Sequence, residues 1–297
     1  MLENQRRSGF VTIVGRPNSG KSTLVNSLVG EKISIVTDKP QTTRNVVRGI
    51  VTRPEGQVVF LDTPGIHKPI HRMNERMMNM VRNSMSEVDV LALLVDSSIP
   101  FGKGDEFTLE LIKPLPVPRI LLFNKIDKVK KKDLLPQIDR YARILSFDEV
   151  IPVSARTGEG VETFIKTLFR FLPEGPFYYP EDQFSDQQER GMAAEIVREK
   201  LIVLTRDELP YSTAVVIDRF EEGEKIHRIY ATVLVERESQ KAIVIGKGGL
   251  LMKEVGTAAR HELEALFGVK VFLELRVKVS KDWRDNDSQL KNLGFAE

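Results

Sequence analysis

The sequence predicts an α/β domain built on a doubly wound, mostly parallel sheet, followed by a smaller α+β domain. Short apolar runs alternate with amphipathic stretches from Phe10 to about Leu172, a cluster of prolines and a glycine then breaks both periodicities, and beyond it the order of elements changes. The length of 297 residues agrees, because about 150 residues per domain gives two domains, each long enough for its own hydrophobic core.

The runs FVTIVG (10–15), QVVFLD (57–62), DVLALLVD (89–96), RILLFNK (119–125) and EVIPVS (149–154) are almost continuously apolar, as parallel strands covered on both faces are. They place the first domain at residues 1–172. The stretch PEGPFYYPEDQF opens a linker at 173–186, and the second domain follows at 187–297. There a helical stretch (Gln187 to Thr205) precedes two strand-like runs (Ser212 to Phe220 and Lys225 to Glu236), a second helix (Leu250 to Phe267) and a last strand. In that strand Val271, Leu273, Leu275, Val277 and Val279 alternate with Phe272, Glu274, Arg276 and Lys278. The period of two predicts a half-buried strand in an antiparallel sheet covered on one side.

Zero cysteines exclude disulfides, thiolate zinc sites and cysteine nucleophiles, so a metal must use oxygen ligands or the four histidines. A hydrophobic content of 41% with 29% charged residues describes a globular chain rather than a disordered one. No apolar segment follows the charge pair of MLENQRRSGF, so no secretory leader is expected. The longest apolar run, Val90 to Val95, falls far short of the about 18 residues a membrane span requires, and a cytoplasmic protein is expected. The net charge of +2 divides into +6 over residues 1–180 (26 basic, 20 acidic) and −4 over 181–297 (18 basic, 22 acidic). The one charge run, KVKKKD at 128–133, reads as a solvated loop.

Gly15-Arg16-Pro17-Asn18-Ser19-Gly20-Lys21-Ser22 fits G-x-x-x-x-G-K-[ST] between an apolar strand and the helix-like STLVNSLVG. In such a loop backbone N–H groups face phosphates, the lysine (Lys21) reaches the β/γ oxygens and the Ser22 hydroxyl ligates Mg²⁺. Asp62-Thr63-Pro64-Gly65 ends a strand, where Asp62 can hold Mg²⁺ through water and the Gly65 N–H can bond a γ-phosphate. Between the two motifs, QTTR offers Thr42 or Thr43 to close the Mg²⁺ shell, with Thr43 favoured. The base is decided by Asn124-Lys125-Ile126-Asp127. A carboxylate at Asp127 accepts from N1–H and the exocyclic amine of guanine, and adenine offers no such donor pair. Asn124 can tie this loop to the phosphate loop, the Lys125 stem can cover the base, and a backbone N–H of Ser154-Ala155 can meet guanine O6.

This set resembles the GTPases of translation-factor type, in the branch that contains ribosome-assembly and tRNA-modifying GTPases. The resemblance implies GTP/GDP and Mg²⁺ as ligands, with Lys21, Thr43, Gly65 and Asn18 as the catalytic candidates. Several relatives carry a glutamine after the D-x-x-G motif, where this chain has Ile66, so unassisted hydrolysis at about 10⁻³ to 10⁻⁴ per second is expected. In some members of the branch an asparagine at the Asn18 position helps to hold K⁺ near the β/γ bridge, and the same is expected here. His67 and His71 share an i, i+4 spacing, but Pro69 lies between them and the segment reads as a switch loop rather than a metal site.

In the second domain KAIVIG leads into Gly246-Lys247-Gly248-Gly249 and a helix. A G-x-x-G loop at a helix start lets a nucleic-acid backbone approach closely. With the order helix, strand, strand, loop, helix, strand, it resembles a type II KH domain. Ile245, Gly246, Lys247, Gly248, Gly249, Leu250, Leu251 and Lys253 would form the RNA groove, with Arg276 or Lys278 as phosphate contacts. Residues 241–260 carry a local +3. Apolar residues at 250, 251, 255, 258, 259, 263 and 266 read mostly as core, and Trp283 as a packing anchor or a base-stacking platform.

One phosphate-loop GTPase domain followed by one type II KH domain is similar to the Era family across almost the full chain. That resemblance implies binding of the 3′ end of small-subunit (16S) ribosomal RNA, a role in maturation of the small ribosomal subunit, and loose association with the inner membrane; a monomer is expected. Two readings stay open. In one, GTP orders the loops around 33–45 and 62–80 and switches RNA binding; in the other, the chain is a GTP-dependent RNA-binding clamp in which hydrolysis is secondary.

Overall fold

In a computed structural model residues 6–205 and 209–295 are described. The first five residues, part of the segment that argues against a secretory leader, lie outside them. The chain divides into two compact units. One runs to Ser34 and continues through Thr43–Pro69 and Met77–Asp186; the other comprises Ile35–Thr42, Ile70–Arg76 and the chain from Gln187 onward.

The first unit is built from β1 (Arg7–Val14), α1 (Lys21–Val29), β2 (Val47–Arg53), β3 (Gly56–Asp62), α2 (Arg72–Ser86, whose first residues fall in the second unit), β4 (Val90–Asp96), α3 (Lys103–Ile112), β5 (Arg119–Asn124), α4 (Leu134–Ile144), β6 (Glu149–Pro152) and α5 (Val161–Leu168). The six strands form one sheet in the order β2-β3-β1-β4-β5-β6. All pairings are parallel except β2 with β3. Every residue of β3 and β4 is buried, which explains their unbroken apolar runs. β2 is not among the strands expected from sequence. Its run is interrupted by Gly49, where the Val25 and Val29 side chains of α1 and Ile33 crowd the backbone, and its partly exposed pattern lacks the signature of a fully covered strand.

The segment expected to be a linker, 173–186, is packed against this unit. Pro173 O accepts from Ser8 N at 3.0 Å, and Ser185 makes an antiparallel bridge with Gly49. Gln57 Oε1 accepts from the N–H groups of Tyr178 and Tyr179 at 2.8 and 2.9 Å. Its prolines prevent a regular element, and tertiary hydrogen bonds take up the backbone groups instead.

The second unit contains α6 (Glu189–Leu204), α7 (Leu209–Ser212), β7 (Ala214–Glu221), β8 (Ile226–Val235), α8 (Glu238–Ile245), α9 (Leu250–Phe267), β9 (Lys270–Val279) and α10 (Asp287–Asn292). Its sheet has the order β7-β8-β9. β7 and β8 are antiparallel, but β9 runs parallel to β8, from Ile226↔Lys270 to Val235↔Val279. The expectation of a purely antiparallel sheet is therefore corrected, because α8 and α9 form a crossover that returns the chain to the starting end. KAIVI is helical, as the C-terminal part of α8, and Gly246 ends the helix at φ +75°. Gln240 Oε1 caps its start by accepting from Glu236 N at 2.8 Å and Arg237 N at 3.2 Å.

Trp283 is fully buried, and its indole N–H donates to Ser212 O at 3.0 Å. It is an anchor and does not present a stacking face. Of the apolar residues of α9, Val255, Ala259 and Leu263 are buried, while Leu250 is 66% exposed. Among the described residues no helix is long and apolar enough to cross a membrane.

Candidate functional site

In a doubly wound sheet, ligands bind at the carboxyl ends of the parallel strands. Four of these ends carry the predicted nucleotide residues: the loop after β1 (Gly15 to Ser22), Asp62 at the end of β3, Asn124 at the end of β5, and Ser154-Ala155 after β6. Asn124 holds them together. Its Nδ2 donates to Ser19 O at 2.8 Å, and its Oδ1 accepts from Ala155 N at 2.9 Å. Gly20, at φ +99°, leaves room for this, since a Cβ there would lie 2.3 Å from Asn124 Nδ2. Of the two backbone N–H groups of Ser154-Ala155, one of which was expected to meet guanine O6, that of Ala155 is thus bonded to Asn124 and that of Ser154 donates to Glu159 O at 2.8 Å.

Asp127 stands at the mouth of the site. Ser154 Oγ donates to its Oδ1 at 2.7 Å and the Arg156 guanidinium pairs with its Oδ2 at 2.7 Å. The Ser154 hydroxyl first, and Arg156 beside it, hold this carboxyl below the usual carboxylate range. It is therefore ionised and able to accept from guanine. Lys125, at φ +63°, donates to Asn18 O at 2.7 Å and to Asp96 at 2.6 Å. Burial would raise the Asp96 carboxyl, but Lys125 and the Ser98 hydroxyl outweigh it and keep the group ionised.

At the phosphate loop, Lys21 Nζ donates to Gly15 O at 3.2 Å and Arg16 O at 3.0 Å. Burial pushes this ammonium down to about 8, against the opposing pull of Asp62. Arg16 is held from α3: its guanidinium donates to Asp105 at 2.8 Å, and the same carboxylate oxygen accepts from Gly102 N at 2.9 Å. The D-x-x-G segment touches the loop directly. Ile66 N donates to Gly15 O at 3.0 Å, and a Cβ on Gly65 would lie 2.7 Å from Pro17 Cα. Thr63 is buried and donates to Ile13 O at 2.8 Å, an architectural contact. Ile66 is 2% exposed, so its side chain belongs to the core and cannot meet an attacking water.

Asp62 is wholly buried, and burial raises its carboxyl; the Ser22 and Ser34 hydroxyls and the Lys21 charge pull the other way. Neither carboxylate oxygen has a partner of acceptable hydrogen-bond geometry. The Ser22 Oγ lies 2.7 Å from Thr43 Oγ1. A lone buried carboxylate with two adjacent hydroxyls is an all-oxygen donor set that suits Mg²⁺. Thr42 is engaged elsewhere, donating to Lys39 O at 2.7 Å and meeting Thr37 Oγ1 at 2.6 Å. His67 donates through Nδ1 to Gly65 O at 2.7 Å and His71 faces Asp285 at 3.4 Å. Among the described residues no three His, Asp or Glu side chains gather as for a metal.

In the second unit Gly246, Gly248 and Gly249 all have positive φ, so the G-x-x-G loop presents bare backbone. A cleft of about 350 Å³ opens between α9 and β9, lined by Met252, Lys253, Gly256, Thr257, Arg260, Leu273 and Leu275. Only Lys253 among these belonged to the expected groove. Lys278 and Arg276 lie on the other face of β9, because alternate residues point to opposite sides; Lys253 and Arg260 are the basic groups that line the cleft. The α9 residues of the cleft form an i, i+3/i+4 set (252, 253, 256, 257, 260), which spacing alone does not single out from the apolar stripe beside it.

Comparison with known proteins agrees with this geometry. A family model described as a 50S ribosome-binding GTPase matches residues 10–125, and a KH-domain model matches residues 208–284. The GTPase Era of Staphylococcus haemolyticus (strain JCSC1435) is 48% identical over 294 residues, covering 99% of this chain and 98% of that protein. The chain belongs to the Era family of GTPases. Two Era crystal structures match it at 41% identity over 98% of this chain and 100% of theirs. One is a complex with MgGDPNP and nucleotides 1506–1542 of 16S ribosomal RNA, with a TM-score of 0.95. The other is a single-substitution variant of Aquifex aeolicus Era bound to GDP·AlF₄⁻, with a TM-score of 0.94. The phosphate loop and Asp62 fall within the residues matched by the GTPase model, and the G-x-x-G loop and the α9/β9 cleft within those matched by the KH model.

Proposed function

We propose that this chain is a GTP-binding and GTP-hydrolysing switch that binds the 3′ end of small-subunit ribosomal RNA and assists maturation of the small ribosomal subunit. The observation that carries the nucleotide half is the Asn124 side chain bridging Ser19 and Ala155, which locks base and phosphate loops into one frame. Residues 15–22 bind the phosphates. Asp127 selects guanine, with Lys125 braced beside it. Ser22, Thr43 and Asp62 would hold Mg²⁺, which neutralises charge developing on the phosphates when bound. Lys21 and the Gly65 N–H stabilise the same charge, and the close approach of Gly65 to Pro17 keeps that N–H beside the phosphate loop. Thr43 rather than Thr42 is the metal ligand in this reading.

The RNA half is supported by the Era complex with 16S ribosomal RNA, by the positive-φ glycines of the G-x-x-G loop and by the α9/β9 cleft with Lys253 and Arg260 in its lining. We place the chain in the cytoplasm, as a monomer, with peripheral contact to the inner membrane on family grounds. Crosslinking of cellular RNA to Gly246–Lys253 tests the partner: recovery of the small-subunit 3′ end is expected, and its absence there would remove the ribosomal assignment while leaving the GTPase. The buried Ile66 favours a second reading, a GTP-dependent assembly clamp with hydrolysis secondary.

A further inference from the structure

Arg16 follows the first glycine of the phosphate loop, and its backbone organises that loop: Arg16 O accepts from Lys21 Nζ at 3.0 Å and from Ser19 N at 3.3 Å. Its side chain reaches the start of α3, where the guanidinium donates to Asp105 Oδ2 at 2.8 Å. The Asp105 side chain is 7% exposed and that of Arg16 33%. A pair this buried is weakly screened, and removing one partner leaves the other charge without compensation.

Helix capping accounts for only part of this arrangement. Asp105 is the third residue of α3 and its Oδ2 also accepts from Gly102 N at 2.9 Å, as acidic residues at that position commonly do. Capping does not account for Gly104. Its backbone lies outside the positive-φ glycines, and glycine is among the poorest helix formers. Yet a Cβ there would lie 2.8 Å from Arg16 Nε and 3.2 Å from Arg16 Cδ. The missing Cβ is the space in which the arginine stem lies. Tyr141 of α4, whose ring meets Phe101 and Phe123 edge-on, adjoins the pair. Burial first, and the Asp105 charge second, raise its phenol, so it keeps its proton beside the carboxylate.

Resting on the nucleotide-binding reading above, we propose that Asp105 is a positioning residue for nucleotide binding: through Arg16 it fixes the backbone that orients Lys21. It acts on the phosphates only by way of that loop. Gly104 is required because a methyl group would push the guanidinium off the carboxylate.

The test is the affinity for GDP, followed with a fluorescent GDP analogue. Arg16→Met and Asp105→Asn should each weaken binding roughly tenfold, and the double variant should lose no more than either alone. Asparagine retains an oxygen for Gly102 N, so the cap of α3 survives in that variant. Gly104→Ala suits the helix better and should still weaken binding to a similar extent. Arg16→Lys keeps a cation for this single N–H···O contact and should bind within about threefold of wild type. Wild-type affinity in Arg16→Met or Gly104→Ala, or additive losses in the double variant, would overturn the inference. A loss in Arg16→Lys as large as in Arg16→Met would overturn it too, by tracing the effect to the guanidinium rather than to its pairing with Asp105. No GDP binding by the wild-type chain would instead remove the nucleotide-binding reading on which the inference rests.

Discussion

The hydroxyls of Ser22 and Thr43 lie 2.7 Å apart, although the two residues come from α1 and from the segment before β2. Their meeting beside the buried Asp62 carboxylate brings the phosphate loop and the segment between α1 and β2 to one point. Thr43→Ala should weaken Mg²⁺-dependent GTP binding by about tenfold and leave GDP binding nearly unchanged. Thr42→Ala, which removes only local turn contacts, should leave both within about twofold. Nucleotide titrations at fixed Mg²⁺ check this, and the reverse ranking would shift the ligand to Thr42.

In the proposed function base choice rests on Asp127. There its carboxylate would accept from two guanine donors, and Asp127→Asn replaces one acceptor by a donor. GTP affinity should fall by about 10² to 10³-fold. Xanthosine triphosphate, whose purine presents a carbonyl where guanine has the amine, should become the better ligand. Competition between the two nucleotides measures the exchange; unchanged preference for GTP would place guanine recognition elsewhere.

Lys21 gives a pH dependence. Its ammonium is pushed by burial to about 8, whereas an unfolded lysine keeps its proton to about 10.4. Between these values the unfolded chain binds more protons, so the stability penalty of burying the charge is full below pH 8 and is relieved as pH rises through that window. Phosphate binding needs the charged form, so GTP affinity should move the opposite way, falling roughly tenfold from pH 7 to 9 with uptake of a proton. Calorimetry in buffers of different ionisation enthalpy reads that proton directly. Pure release would contradict the assignment.

Asn18 sits exposed at φ +62° on the phosphate loop, with its carbonyl fixed by Lys125. If its side chain helps to hold K⁺, hydrolysis should run about one order of magnitude faster in potassium than in sodium, and Asn18→Ala should lose the difference. Equal rates in both salts for both proteins would dismiss a potassium role.

Some of this architecture was legible in the sequence because it depends on local pattern. The unbroken apolar runs of β3 and β4 report strands covered on both faces, and the glycines and Lys21 report a loop that wraps phosphate. Asp62 could be placed because it ends a buried strand. β2 was not legible: Gly49 interrupts it, and an antiparallel edge strand lacks the continuous apolar signature of its neighbours. The helix α8 was hidden for another reason. KAIVIG is short and β-branched, and only the cap supplied by Gln240 marks it as helical. Likewise the Arg16–Asp105 pair joins residues 89 apart, beyond what spacing can show. The cleft depends on how α9 lies against Leu273 and Leu275 of β9, whereas sequence periodicity identifies only the buried stripe of the helix.

In the proposed function RNA and GTP act on one switch. Single-turnover GTP hydrolysis with and without RNA containing the 3′ end of 16S ribosomal RNA tests this most directly. Hydrolysis by the chain alone should be slow, at about 10⁻³ to 10⁻⁴ per second, and the RNA should accelerate it. Tight GTP-dependent RNA binding with no change in that rate would contradict the switch and leave the clamp.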